Sequence, residues 1–561
     1  MNNLIKLVFL LPRKYIFLCL SIIIIALIMS TCEVFVLSSI KPFIQSFSSD
    51  NLGTAKILDY QKVYDEALKF LTTILVCGIL RISLIYFQYR IAALISAKIS
   101  SDTFSKIINQ EYISLKSANQ SKFLSIIIQD IQRASEAISN ASSLISNTIV
   151  LTFISFSLLI IETKLFLISG TVISFLYVLI LFIFGKRLRI NGENITKYNH
   201  KEASLVRSTL ASIVDFIIGD SYEKQLNEYK VNEIKLRRSY ANTLIYSQSP
   251  RYIVETVCLA LFTCFIILSI SSNSSLLIFA QLGTLLFAFN RVLPAAQKLY
   301  SSYAFIKSTA ASIKNVTYVL NFKGKNILEK NKFDSKLNKI ENLFLKNGLN
   351  KLSIQDLEYS YEKNRKISYK NFIFEEGSPT AIVGKSGTGK TTLIELILNL
   401  LKPDKGVIKL NNIDIKKVYL PQYYKNISYI SQSPFLFSGS LYENIVFGNK
   451  KDIPKEELYE NGTKLGLRDE FGENFLDYEI SDFGRNISGG QAQRCLLLKI
   501  LANPKPVIIL DEPTSSLDEQ RIREFTKLLL EKSSNSILIV VTHSKIEIEY
   551  YSNVLDLSTN K

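Results

Sequence analysis

Six long apolar runs crowd into the first 310 residues, and no other feature narrows the possible folds as much. They are Tyr15–Ile40, Leu68–Ala92, Leu144–Ile161, Leu165–Phe184, Ile253–Ile270 and Leu276–Val292. Each approaches the roughly 20 residues that a helix needs to cross a bilayer. One such run is equally a buried core helix, but six in one half of a chain read as membrane spans. Segments in lipid must satisfy their own backbone groups, so all six are expected to be helical. Arg13 and Lys14 precede the first run, which is longer than a signal-peptide core and lacks a small-residue cleavage site. It is expected to remain as an anchor.

The charge pattern orients these spans. Residues 186–251 carry twelve lysines and arginines, among them Lys186, Arg187, Arg189, Arg237 and Arg238, whereas SSNSS (271–275) has none. The positive-inside rule therefore places the N-terminus, both long loops (93–143 and 185–252) and the C-terminal half in the cytoplasm. Those loops show helical periodicity and are expected to extend the membrane helices beyond the bilayer. The net charge of +17 would suit nucleic-acid binding, but it is not gathered into arms or aromatic-interleaved patches. No nucleic-acid partner is expected. The six cysteines are scattered at spacings that suggest neither zinc nor a disulfide framework. His200 lies in a charged loop and is expected to be solvated.

The character changes after Leu320. A lysine- and asparagine-rich stretch (321–350) reads as a linker, and from Lys351 short β-rich runs alternate with helical ones, as in an α/β domain. The strand AIV (381–383) leads directly into GKSGTGKTT. This is a phosphate-binding loop in its strand–loop–helix context. Gly384, Gly387 and Gly389 let backbone N–H groups curl round phosphates, with Lys385, Ser386, Thr388 and Thr392 in the same wrap. Lys390 would reach the β- and γ-phosphates of ATP, and Thr391 would hold Mg²⁺. The partner acidic strand is VIILDEP (507–513). Asp511 would emerge at its C-terminal end to hold Mg²⁺, and Glu512 would either polarise the attacking water or cap the next turn.

One stretch is left over. ISGGQAQR (487–494) opens a helix with a serine and two glycines, a second natural anion site in a chain that already has one. Here the sequence resembles the nucleotide-binding domain of the ABC transporter superfamily, with ISGGQ standing for its LSGGQ signature. The resemblance implies that Tyr361 in YSY stacks on adenine and that Gln432 in YISQSP touches Mg²⁺. It further implies that SSLD (515–518), with Asp518, bridges the dimer and that His543 in VVTHS senses the γ-phosphate. In this superfamily Ser488, Gly489, Gly490 and Gln491 clamp ATP held by the opposite domain. One chain with one loop and one signature therefore needs a second, and a homodimer with two equivalent sites is expected.

Six spans ahead of one such domain resemble an exporter-type half-transporter. The expected architecture is an α-helical six-span transmembrane domain over 1–320, the linker 321–350, and an α/β P-loop NTPase domain with a helical subdomain over 351–561. Short helices near Tyr112–Asn119 and Ile213–Gly219 would dock on the ATPase domains. Only Met1–Lys14 precede the first run, so no N-terminal peptidase domain is expected. Stretches such as CEVFVLS (32–38), QEYISLKSANQSKFLS (110–125) and NRVLPAAQKLYSSY (290–303) are similar to the flippases of lipid-linked oligosaccharides. The segment ISDFGRN (480–486) departs from the TEVGERG-like pattern of many drug exporters, matching it well only at Gly484 and Arg485.

Ionisable residues inside spans are costly and invite a role. Glu33 falls toward the outer end of the first run, and Arg81 and Arg291 in the inner halves of the second and sixth. Each either contacts substrate or is neutralised by pairing or snorkelling. An arginine fork suits phosphate. The substrate expected is an amphipathic lipid with an anionic, glycosylated head, moved across a bacterial inner membrane. The alternative is a hydrophobic drug or a peptide.

Overall fold

The computed structural model describes residues 2–9, 12–45, 60–110, 112–117, 120–161, 163–219, 221–270, 275–322, 350–361, 366–432, 435–448, 453–481, 484–515 and 517–559. The chain divides into two compact units. The first is Met1–Gln110 with Ser117–Gly324, and the second is Lys325–Lys561 joined by Glu111–Lys116.

The first unit is helical among its described residues. Its helices are α1 (Asn2–Phe9), α2 (Arg13–Gln45), α3 (Tyr60–Ile108), α4 (Tyr112–Ser117), of which the second unit claims all but the last residue, and α5 (Gln120–Ser125). A π-helical turn, Ile126–Asp130, leads into α6 (Ile131–Ile161). Then come α7 (Thr163–Ala211), α8 (Ile213–Ile218), α9 (Tyr222–Ile270), α10 (Ser275–Ser308) and α11 (Ala310–Leu320).

Helices α3, α7 and α9 each run for 49 residues. At 1.5 Å per residue that is roughly 70 Å, more than twice a bilayer core, so the apolar runs continue as helix beyond it. Among the described residues four segments are long and apolar enough to cross a membrane: Arg13–Ile40, Val63–Ile108, Gln120–Ile160 and Gly170–Ala211. The fifth and sixth expected runs lie in α9 and α10, and most of their side chains fall outside the described residues. Large apolar side chains such as Ile82, Ile160 and Phe182 point outward from these segments. That is the arrangement a lipid surround favours.

Inside the unit, Tyr177, Leu188, Val254, Leu293 and Tyr300 form a core shared by α7, α9 and α10. Gly192 permits the close approach of α7 to the end of α10, since a Cβ there would lie 1.8 Å from the Ser308 carbonyl oxygen. Small residues at such contacts let helix backbones meet.

Two readings change on the structure. His200 is not solvated: its Nε2 lies 3.2 Å from the Asp130 carboxylate, which Asn315 also donates to at 2.8 Å. The supposed loop is the continuous helix α7, and its periodicity turns His200 inward toward the π-helical turn. Arg81 and Glu33 do not sit at different depths. The Arg81 Nε donates to Glu33 at 2.6 Å, and the Cys77 thiol donates to the same oxygen at 2.9 Å. A direct ion pair requires a shared level on α2 and α3, and it neutralises both charges where they would be costly.

The second unit is α/β. Strands β1 (Lys351–Ser360), β2 (Lys366–Tyr369), β3 (Phe372–Glu375), β4 (Thr380–Val383), β5 (Lys405–Leu410), β6 (Ile413–Asp414) and β7 (Ile427–Ile430) interleave with helices α12 (Lys390–Ile397) and α13 (Leu420–Tyr424). Next come β8 (Gly439–Ser440), α14 (Leu441–Val446), α15 (Lys455–Lys464), α16 (Leu467–Phe471), β9 (Glu479–Ile480) and α17 (Gly489–Ala502). The series ends with β10 (Val507–Asp511), α18 (Glu519–Lys532), β11 (Ile537–Val541), α19 (Lys545–Ile548) and β12 (Asn553–Asp556).

An antiparallel sheet β2-β1-β5-β6, with β3 also on β1, accompanies a parallel sheet ordered β12-β4-β11-β10-β7. Strands β10 and β11 are buried at every residue and pair in register from Val507↔Ile537 to Asp511↔Val541. Such continuous apolar strands belong at the centre of a parallel sheet covered on both faces. One core packs α12 against both sheets; the other packs α14, α15 and α17 with the opposite face of β10 and β11.

Candidate functional site

Strand order builds the site. Because β4, β11 and β10 are neighbours and parallel, their C-terminal ends lie side by side. The residues that leave those ends are Gly384, Thr542–His543 and Asp511–Glu512. This edge is where open α/β sheets bind ligands.

The phosphate loop joins β4 to α12. Gly384, Gly387 and Gly389 have φ of 153°, 84° and 96°. At Gly389 the constraint is double, because a Cβ would also lie 2.8 Å from the Tyr369 hydroxyl and 3.1 Å from Ile367. Tyr369 donates at 2.8 Å to the Gly389 carbonyl and braces the loop where α12 begins. The Lys390 ammonium curls back to the Gly384 carbonyl at 2.8 Å and lies 3.0 Å from His543 Nε2. The Thr388 hydroxyl donates to the Lys385 carbonyl at 2.9 Å. A loop held this way directs N–H groups and one cation into the same hollow.

The acidic end of β10 faces that cation. Asp511 is buried, and its acid dissociation is pushed up to about 6, chiefly by burial and then by the charge of Glu512, against the pull of Lys390 and Thr391. Glu512 adopts a left-handed backbone, φ 53°. Its amide donates to the Val541 carbonyl at 2.9 Å, and its own carbonyl receives Gln493 Nε2 at 2.7 Å. The carboxylate is thereby fixed: Gln432 Nε2 donates to it at 2.9 Å, and His543 lies 3.4 Å away. A non-glycine residue held in this conformation is mildly strained, as functional positions often are. The Thr391 hydroxyl, the Asp511 carboxylate and the Gln432 amide oxygen are hard oxygen donors, the set Mg²⁺ takes. The residues therefore fit the ion.

The expected adenine platform is braced by side chains. The Tyr361 hydroxyl lies 3.1 Å from Thr392 Oγ1 and donates to Glu395 at 3.3 Å, while its ring meets Tyr359 edge-on. Glu395 is a residue that sequence reading passed over. It is buried on α12, where its other oxygen accepts the Tyr112 hydroxyl at 2.8 Å and the Lys116 ammonium at 2.6 Å. One carboxylate thus joins the start of α4 to the nucleotide side of the sheet. The available signal was a lone glutamate in the apolar run LIELILNLL (393–401).

The signature is placed apart from this constellation in its bonding. Ser488 caps α17 in a reciprocal box with Gln491: the Gln491 amide donates to Ser488 Oγ at 3.2 Å and the Ser488 amide to Gln491 Oε1 at 2.8 Å. A Cβ on Gly489 would meet open space. The helix end is therefore formed and accessible, with its positive dipole outward. Asp518 caps α18 through the Arg521 amide at 2.9 Å. The region ISDFGRN is partly outside the described residues, but Ser481 bonds Asn486 within it.

The chain is similar to known proteins in sequence and in fold. The family described as "ABC transporter" matches residues 367–515. A lactococcin-A transport/processing ATP-binding protein from Lactococcus lactis is 33% identical over 208 residues, 36% of this chain and 29% of that protein. An ATP-dependent lipid A-core flippase from Francisella novicida is 25% identical over 396 residues, 66% of this chain and 64% of the flippase. The chain thus spans under a third of the first relative and just under two thirds of the second. A bacterial Atm1-family ABC exporter solved with ATP bound superposes with a TM-score of 0.78 at 14% identity, over 97% of this chain and 94% of that one. At that identity the likeness is one of fold.

Proposed function

We propose, from the premise that this chain carries an ABC transporter domain behind a helical unit of exporter fold, that it hydrolyses ATP to drive an amphipathic substrate across a membrane. The carrying observation is the edge of one parallel sheet where Lys390, Asp511, Glu512, Gln432 and His543 converge. Lys390 and the loop amides would hold the phosphates, and Mg²⁺, when bound, would offset their charge beside Thr391 and Asp511. Glu512 is oriented by two neighbours and by its backbone, and so is suited to accept a proton from an attacking water rather than to cap a turn. Ser488 and Gly489–Gln491 would complete the site of a second copy in a C₂ dimer.

The orientation follows the positive-inside pattern, with N-terminus and ATP-binding unit in the cytoplasm, and the membrane proposed is a bacterial inner membrane. For the substrate, the flippase relative and the local similarities to oligosaccharide-lipid flippases support a lipid with a glycosylated, anionic head. The arginines support it less than the sequence suggested, because Arg81 is paired to Glu33 and Arg291 is also engaged. A peptide cargo is the second reading, favoured by the higher identity of the lactococcin relative. The test is reconstitution. Glu512→Gln should bind ATP with near-normal affinity and lose hydrolysis; turnover near the wild-type rate would remove Glu512 from its role. Stimulation of the ATPase by a polyprenyl-pyrophosphate sugar, and not by a cationic peptide or dye, is the outcome expected for the lipid reading.

A further inference from the structure

One buried carboxylate of the second unit has no part in the site described so far. Glu547 lies on α19, four residues past His543, and is fully buried, whereas Glu549 beside it faces outward. A carboxylate is not carried into a core without donors to hold it. The Thr514 hydroxyl donates to Glu547 Oε2 at 3.0 Å, and the Tyr551 hydroxyl donates to Oε1 at 3.3 Å. The Thr542 hydroxyl is the third donor. Its oxygen accepts the Ser544 amide at 3.0 Å, which leaves its proton for the carboxylate. Burial holds the Glu547 carboxyl above the ordinary glutamate range. The Thr542, Thr514 and Tyr551 hydroxyls act the other way, by favouring the charged form.

The two threonines make the placement informative. Thr542 immediately precedes His543, and Thr514 follows Glu512 by two residues. The pairing of β10 with β11 ends at Asp511↔Val541, and one more rung follows, from the Glu512 amide to the Val541 carbonyl at 2.9 Å. Beyond that rung, among the described residues, no backbone hydrogen bond joins 513–515 to 542–544. Side chains therefore hold the two loops together, and Glu547 binds both. The distances at stake are short. The half-exposed His543 ring lies 3.4 Å from the Glu512 carboxylate and 3.0 Å from the Lys390 ammonium, so a shift of either loop changes their spacing.

We propose that Glu547 is a positioning residue for ATP hydrolysis: by binding Thr514 and Thr542 at once, it sets the separation of the Glu512 carboxylate from the His543 ring. The proposal rests on the roles of Glu512 and His543 given above. Its effect falls on turnover rather than on ATP capture, because Lys390 and the loop glycines are held by other bonds. A displacement of about 1 Å at reacting groups can cost on the order of a hundredfold in rate.

The experiment uses the full chain in lipid nanodiscs, with ATP hydrolysis and equilibrium ATP binding measured separately. Glu547→Ala should lower kcat about ten- to a hundredfold and leave ATP affinity within about threefold of wild type. Glu547→Gln keeps an acceptor for the threonines and a donor for Tyr551, and should recover most of the rate. Glu547→Ala strands three buried hydroxyls, those of Thr514, Thr542 and Tyr551. Should it fail to fold, Thr514→Val keeps the test sound, with an expected several-fold loss of kcat at unchanged affinity. A double-mutant cycle separates positioning from mere stability. In a His543→Ala background either substitution should cost no more than about a third of its factor in wild type. Full additivity would overturn the proposal, as would an affinity loss that matches the loss of rate. Glu512→Gln and His543→Ala are the references. Wild-type kcat in both would overturn the roles of Glu512 and His543 and the proposal with them. Loss of rate in both, with wild-type kcat in Glu547→Ala and Thr514→Val, would overturn the proposal alone.

Discussion

Removing the Glu395 carboxylate should release α4 from the second unit. In the native structure Glu395 is nearly fully buried and accepts hydrogen bonds from Tyr112, Lys116 and Tyr361. Two of these hold α4. A hydrogen bond to a charged acceptor contributes about 1.5–3 kcal/mol, and the low end is taken for Tyr112. The Lys116 side chain is 47% exposed, so its ion pair is screened and adds no more than about 1 kcal/mol. Together Glu395→Ala should cost α4 docking about 2.5 kcal/mol, or roughly 70-fold in its local opening equilibrium. Amide hydrogen exchange across Tyr112–Lys116 should accelerate by that factor, while β10 and β11 stay protected. Glu395→Gln, which keeps an acceptor but loses the charge, should fall between. Exchange at Tyr112–Lys116 within threefold of wild type in Glu395→Ala would refute the reasoning, because the carboxylate would then not anchor the helix. Tyr361 loses the same acceptor, so ATP affinity in Glu395→Ala should fall modestly as well.

Asp511→Asn should separate stability from chemistry. A folded-state dissociation near 6 lies above the ordinary aspartate value, so the stability tied to the protonated form is present below about pH 4 and lost as pH rises through 6. The asparagine variant should therefore melt above wild type at pH 8 without nucleotide, by up to about 3 kcal/mol, converge with it toward pH 4, and lose Mg²⁺-dependent ATPase activity. An equal melting difference at both pH values would count against the burial argument. Gly389→Ala should lower ATP affinity at least tenfold and destabilise the second unit by about 1–3 kcal/mol, since its φ of 96° and the 2.8 Å approach to Tyr369 leave no place for a methyl group; normal nucleotide binding would show that the loop adapts. In mixed dimers, one Lys390→Ala chain with one Ser488→Ala chain should place both defects in one site and leave the other intact. About half the wild-type ATPase would support pairing in trans, whereas two crippled sites would argue that each signature serves its own chain's loop.

The sequence by itself determined the parts whose physics is local. A phosphate loop is a run of glycines between a strand and a helix, so Gly384–Thr391 was legible at once, and its φ angles follow from those residues. VIIL (507–510) and ILIVV (537–541) are apolar without interruption and read as buried strands. The apolar runs likewise announced long helices, because satisfying a backbone in lipid permits little else. What the tertiary structure decided is which side chains meet. Helical periodicity gives a face but not its neighbour, so Arg81 could not be matched to Glu33, or His200 to Asp130, until α2 met α3 and the π-helical turn met α7. Glu395 shows the same limit most sharply: its partners Tyr112 and Lys116 lie 283 and 279 residues away. Chemistry that needs one contiguous segment is written along the chain; chemistry that needs several faces exists only once packing has chosen which of them touch.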